Sequence, residues 1–177
     1  MDSVRIIQPI IYEDDRGFFM ESFNEKIERE IGYKFVQDNH SKSKKGVIRG
    51  LHYQWDTPMG KLLRVVHGSG YDVVVDIRKN SSTYGKWKLF ELNDKNNNLL
   101  WVPPGFAQGF LALEDNTHLC YKTTSLHNGN AEGAIHPLES GLDINWGNFP
   151  HKNIILSEKD KNAQTFKQYN QNPKFKI

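Results

Sequence analysis

Apolar and polar positions alternate along short stretches through most of this chain, with the two-residue period of half-buried β-strands. Residues 4–12 read as an opening strand, Glu13-Asp14-Asp15-Arg16-Gly17 as the turn that ends it, and residues 18–23 as the returning strand. Asn24 can cap a helix over 25–31, amphipathic through Ile27 and Ile31, and Gly32 follows where a helix C-terminus favours it. Residues 35–40 run extended into a basic, polar loop over 41–46, ahead of a central strand at 47–54. Strands at 62–67 and 71–78 make a hairpin about Gly68-Ser69-Gly70. The stretches 86–92, 99–103, 109–113 and 117–124 continue the series, with a turn at 94–98, and 157–169 predicts a terminal helix. Short strands punctuated by glycine and asparagine turns, with few helices and no βαβ rhythm, predict an all-β sandwich or barrel. A jelly-roll sandwich with a few short helices, in a single domain over 1–177, is the most economical form.

The central strand carries a histidine and an arginine in an otherwise β-prone run. Strict alternation puts Val47, Arg49, Leu51 and Tyr53 on one side and Ile48, Gly50, His52 and Gln54 on the other. On 71–78 the same rule sets Val73, Val75 and Ile77 against Asp72, Val74 and Asp76, so both aspartates are expected to face solvent.

Composition narrows the class. With 177 residues, 37% hydrophobic and 12% aromatic, the chain is long enough to close a core rich in large rings. A net charge of +2 with scattered lysines is too small a bias for a nucleic-acid binder. Cys120 is the single cysteine, which excludes an internal disulfide and a cysteine-based zinc site and suits a reducing compartment. No apolar run approaches the roughly 18 residues of a membrane span, and the first residues lack a signal-peptide apolar region. No membrane association is expected, and the cytoplasm is the expected location.

Jelly rolls that hold a metal commonly offer an H-x-H pair and a second histidine after a P-x-G-x-x-H turn. Here those places read His52-Tyr53-Gln54 and Pro103-Pro104-Gly105-Phe106-Ala107-Gln108. A neutral amide is a poor ligand for metals that favour imidazole. No metal and no cofactor is therefore expected, and His52 is left to work by proton transfer. A histidine base needs a carboxylate to fix its tautomer. Asp38, Asp72, Asp76 and Asp160 qualify by type, and spacing does not choose among them; Asp160 also fits a helix capping box begun by Ser157. Tyr121 shares a strand face with Leu119 and Thr123, where an aromatic is most simply core. Arg16, Arg49, Lys61 and Arg64 are candidates for holding an anion. The G-x-S-x-G elbow of hydrolases and the G-x-x-x-x-G-K-[ST] phosphate loop are both missing from the sequence.

Several stretches together resemble one family. They are Asp15-Arg16-Gly17-Phe18-Phe19-Met20-Glu21-Ser22-Phe23, Phe35-Val36-Gln37-Asp38-Asn39-His40-Ser41, Ile48-Arg49-Gly50-Leu51-His52-Tyr53-Gln54, Gly60-Lys61-Leu62-Leu63-Arg64-Val65, Asp72-Val73-Val74-Val75-Asp76-Ile77-Arg78, Trp101-Val102-Pro103-Pro104-Gly105-Phe106-Ala107 and Tyr121-Lys122-Thr123-Thr124. In this order they are similar to the dTDP-4-dehydrorhamnose 3,5-epimerases and related epimerases of nucleotide-linked 4-keto-6-deoxy sugars. The resemblance implies a cupin-type jelly roll, a homodimer, no metal, and a nucleotide-diphosphate sugar as substrate. It implies His52 as base paired with Asp160, Tyr121 as acid on the opposite face of the sugar, and Lys61 near the sugar's O4. It further implies that Arg49, Gln37 and Asn39 hold the diphosphate and sugar. Arg16, Glu21 and Phe19, from a strand exchanged between subunits, would reach the nucleotide. Two positions depart from the family's pattern: Leu126 stands where an aromatic stacks on thymine, and Gln108 where a histidine is usual in the sugar pocket. Those departures raise the expectation of a related substrate, such as a GDP-linked 4-keto-heptose, beside dTDP-4-keto-6-deoxyglucose, with inversion at C3 alone or at C3 and C5. A sugar-nucleotide 3,4-ketoisomerase, a metal-dependent cupin oxygenase and a carbohydrate-binding jelly roll without catalysis are the alternatives.

Overall fold

In the computed structural model, which describes residue 1 and residues 3–176, strands dominate. In chain order they are β1 Arg5–Ile7, β2 Ile11–Asp14, β3 Gly17–Met20, β4 Gln37–Ser43, β5 Ile48–Gln54, β6 Lys61–His67, β7 Ser69–Asp76, β8 Trp87–Asn93, β9 Leu99–Val102, β10 Phe106–Ala112, β11 Thr117–Thr123 and β12 Glu132–Ala134. Helices are short: α1 Glu25–Ile31, α2 Glu158–Lys161 and α3 Phe166–Tyr169. Two five-stranded antiparallel sheets, ordered β1-β9-β6-β11-β4 and β12-β5-β10-β7-β8, form a cupin-like jelly roll, and β2 and β3 pair as a separate hairpin.

Three apolar clusters explain why the sheets stack. Leu63, Val65, Leu100, Val102 and Leu119 of the first sheet meet Val74, Phe106 and Phe110 of the second in the sandwich interior. Ile48, Leu51, Tyr53, Val73, Val75 and Leu111 point from the second sheet the other way, into a layer of Ile135, Trp146, Tyr169 and Phe175 from the C-terminal third. Helix α1 lays Ile31 and Ile27 over Leu62, Leu99 and Trp101 on the outer side of the first sheet. Its ends follow the sequence: Asn24 accepts from the Ile27 N–H, and Gly32 takes a left-handed φ of 79°.

The second sheet is thus covered on both faces, and this corrects one expectation. Asp72 and Asp76 are not solvent-facing; both are fully buried, because the Val74 side of β7 is the sandwich interior. Asp76 is well provided for, accepting from Arg78 Nε at 2.9 Å and Nη2 at 2.7 Å, and from the hydroxyls of Ser81 and Thr83, each at 2.6 Å. Burial alone raises its pKa, but the bonds from Arg78, Ser81 and Thr83 outweigh that and bring it down to about 2. A depressed carboxylate stabilises the fold above its unfolded pKa and loses that contribution as pH falls through its folded value. Asp76 is therefore expected to contribute roughly 2 kcal/mol at pH 5, fading below pH 4 and gone near pH 1. Urea unfolding of wild type and Asp76→Asn at pH 5 and at pH 2 checks this, the stability gap narrowing at the lower pH.

Other boundaries moved. The opening stretch 4–12 divides into β1, which pairs with β9, and β2, which pairs with β3. Strand β4 runs on to Ser43 through what reads as a loop, because β11 offers partners as far as Thr117. Strand β10 begins at Phe106, ahead of the expected 109. Strand β12 has no period to betray it. The terminal helix is two single turns, each with its own N-cap, Ser157 and Thr165; between them Gln164 bridges to Ile135. Among the described residues no helix is long and apolar enough to cross a membrane.

Candidate active site

Between the sheets lies a cavity of about 390 Å³ lined by Ser41, Arg49, His52, Lys61, Gln108, Phe110, Tyr121, Ser157 and Asp160, among others. Strand β5 supplies Arg49 and His52 to the same cavity, against the alternation that separated them. The reason is a register shift: Gln108 pairs with His52 and Phe110 with Arg49, so Gly50 and Leu51 together oppose Gly109. One extra residue reverses the facing of all that follow. Gly50 suits the place, with φ at 123° and a close approach in which a Cβ would stand 2.6 Å from both the Gln108 carbonyl oxygen and Gly109 Cα.

His52 Nε2 lies 2.6 Å from Asp160 Oδ1. Asp160 is buried and presented by α2, where Ser157 caps the turn by accepting from the Asp160 N–H at 3.1 Å and donates to Asp160 Oδ2 at 2.9 Å. The capping role and the pairing role belong to the same residue. Burial pushes the Asp160 pKa upward, yet the bonds from His52, Ser157 and the Gly50 N–H hold it below the usual carboxylate value. An ionised Asp160 keeps the imidazole proton on Nε2 and leaves Nδ1 with the lone pair.

Tyr121 stands on β11, in the sheet opposite His52, so the two side chains line opposite walls of the cavity. Burial raises its pKa, with Glu132 adding to the effect and Arg49 opposing it, and the phenol stays protonated at neutral pH. It is half-buried rather than core. Lys61, at the start of β6, donates from Nζ to Gln108 Oε1 at 2.9 Å, and Gln108 Nε2 donates to Asp72 Oδ2 at 2.6 Å. Burial lowers the Lys61 pKa, against the pull of Asp72 and Glu132.

The remaining expected residues divide. Gln37 and Asn39 are half-buried on the same side of β4 as Ser41, though only Ser41 lines the cavity, and Gln37 Nε2 donates to Asn39 Oδ1 at 2.8 Å. Arg49 donates from Nε to Ser43 Oγ at 3.0 Å and from Nη2 to the Lys42 carbonyl at 3.2 Å. Arg16, Phe19 and Glu21 do not reach the cavity in a single chain. Arg16 pairs with Asp14 at 2.5 Å, Phe19 is 65% exposed on the β2–β3 hairpin, and Glu21 accepts from Asn24. Leu126 is likewise exposed, beyond β11. Asp72, a candidate carboxylate by type but expected to face solvent, lies buried beside the site instead, and Glu132, also near it, escaped the sequence. Glu132 sits on the three-residue β12, accepting from Lys159 at 2.5 Å and paired with His127 at 3.3 Å. Among the described residues no three His, Cys, Asp or Glu side chains converge as a metal-ligand set.

Solved sugar-nucleotide epimerases share this fold. The structure of a Legionella pneumophila dTDP-6-deoxy-D-glucose-3,5-epimerase in complex with dTDP-4-keto-L-rhamnose is similar at a TM-score of 0.92 and 41% identity, covering 100% of this chain and 95% of that one. The protein is thus an isomerase of the sugar-nucleotide epimerase class. The family model described as dTDP-4-dehydrorhamnose 3,5-epimerase matches residues 1–168. Enzymes of that name from Shigella flexneri (48% identical over 167 residues, 92% of this chain and 91% of the relative) and Methanothermobacter thermautotrophicus (46% over 164 residues, 92% and 89%) are close relatives. The chain belongs to the dTDP-4-dehydrorhamnose 3,5-epimerase family.

Proposed function

We propose that this enzyme inverts C3 and C5 of a dTDP-linked 4-keto-6-deoxy sugar through enolate intermediates, without a metal, as a homodimer. The observation that carries the reading is the His52–Asp160 pair at 2.6 Å on one wall of a cavity whose other wall bears Tyr121. Hydrogens beside a ketone are acidic because the anion spreads onto the oxygen. A base must take the proton while a cation meets the charge that develops on O4. His52 Nδ1 is the base, Asp160 steadies the imidazolium, and the Lys61 ammonium faces O4. Inversion needs a proton delivered to the other face of the ring, which Tyr121 on the opposite sheet supplies. Arg49, Gln37 and Asn39 hold the diphosphate and sugar. The β2–β3 hairpin, with Tyr12, Phe18 and Phe19 exposed on it and Ile10 exposed just before it, fits a strand pair that crosses to a second copy and brings Arg16, Phe19 and Glu21 to its nucleotide.

The relatives favour a thymidine-linked hexose over the GDP-linked heptose that Leu126 and Gln108 suggested. The test is proton NMR in D₂O with dTDP- and GDP-linked 4-keto-6-deoxyhexoses and a GDP-linked 4-keto-heptose. Loss of the C3 and C5 signals of the dTDP sugar is expected, with the GDP sugars exchanging far more slowly. Exchange confined to a GDP sugar would transfer the proposal to that substrate, and movement of the carbonyl would indicate a ketoisomerase.

A further inference from the structure

Two buried carboxylates on β7 are treated very differently. Asp76 has both oxygens taken up by Arg78, Ser81 and Thr83. Among the described residues Asp72, equally buried, accepts a single side-chain hydrogen bond, from Gln108, and its Oδ1 has no partner. A carboxyl kept in the interior so poorly satisfied is costly to the fold. Burial drives its pKa up to about 8, against the influence of Gln108 and Lys61. Its one contact leads by a single amide to the cavity.

That amide has a sense. A glutamine can turn either its oxygen or its NH₂ toward the cavity, and the wrong choice would set a donor against the Lys61 ammonium. The Lys61 ammonium can only donate and takes Oε1 at 2.9 Å, which turns Nε2 to Asp72 Oδ2 at 2.6 Å, where the carboxyl oxygen, ionised or protonated, accepts and anchors the far end of the amide. The amide dipole then runs from carboxyl to ammonium with its ends correctly matched. We propose that Asp72 is a positioning residue for the epimerisation: acting through the Gln108 amide, it holds the Lys61 ammonium at the point where charge develops on the sugar's O4. This rests on the function proposed above for Lys61. It also gives Gln108 a duty other than touching substrate.

The test compares Asp72→Asn, Gln108→Met and Gln108→His, with rates normalised to folded protein by thermal melts. Asparagine keeps the shape of Asp72 but offers an NH₂ as readily as an oxygen, so the far end of the amide loses its anchor. Methionine keeps the length of Gln108 and breaks the link. Histidine restores it, accepting from Lys61 on one ring nitrogen and donating to Asp72 from the other. Both Asp72→Asn and Gln108→Met are expected to lower kcat about 10- to 100-fold with KM nearly unchanged, since a displaced charge stabilises the enolate less than it stabilises bound substrate. Gln108→His is expected to recover most of that loss. Full kcat in both Asp72→Asn and Gln108→Met, a rise in KM alone, or a loss that histidine fails to relieve would overturn the role of Asp72 while wild type still exchanges its C3 proton. Wild type that exchanges no carbon-bound proton would instead remove the epimerase proposal, and this role with it.

Discussion

His52→Gln is expected to reduce kcat by at least about 10³-fold, the upper part of the range for loss of a positioned base. The substitution isolates chemistry from folding. Glutamine carries its amide nitrogen to the ε position that His52 Nε2 occupies, so it can still donate an N–H toward Asp160, whose 2.6 Å bond to His52 would otherwise leave a buried carboxylate short of a partner. It cannot take up a proton from carbon. Deuterium incorporation at C3 and C5, followed by NMR alongside a thermal melt, should show exchange near background in a protein with an intact transition. Exchange within tenfold of wild type, by the same range for a base, would assign proton abstraction to some other group.

Tyr121→Phe is expected to separate exchange from inversion. With His52 intact, the C3 proton still leaves, the imidazolium trades it for a deuteron, and the deuteron returns to the face it came from. The inverted product, which needs a donor on the opposite sheet, should fall by about 10²–10⁴-fold. The measurement is a single spectrum: loss of the C3 signal with the ring couplings of the starting sugar retained. Inverted couplings appearing at the wild-type rate would show that the second proton comes from elsewhere, solvent included. The burial that raises the Tyr121 pKa keeps the phenol as a donor across the neutral range.

Much of the fold was legible because local signals agreed with tertiary ones. Helix α1 is marked at both ends by Asn24 and Gly32, and the turn glycines delimit most strands. Period-2 reasoning failed where its premise failed. It assumes one wet face, and β7 has none, so Asp72 and Asp76 read as surface residues when they are interior. It assumes an unbroken ladder, and the shift at Gly50 and Leu51 brings Arg49 and His52 into one cavity. The partner of His52 was beyond reach of spacing altogether, since Asp160 lies 108 residues away and its only local signature is a capping box. Resemblance to the family named it, and the 2.6 Å contact is the physical counterpart. Glu132 has no such clue; a three-residue strand is too short to display a pattern.

The helix turn that caps itself with Ser157 and presents Asp160 has a consequence for the order in which the protein comes into being. Every strand of both sheets precedes it in the chain, so a polypeptide emerging from the ribosome holds His52, Lys61 and Tyr121 well before it holds the histidine's carboxylate. On the proposed chemistry, a nascent chain carries the cavity walls that the two sheets supply but not the dyad, and proton abstraction is switched on only when the segment at 155–160 docks and closes the cavity.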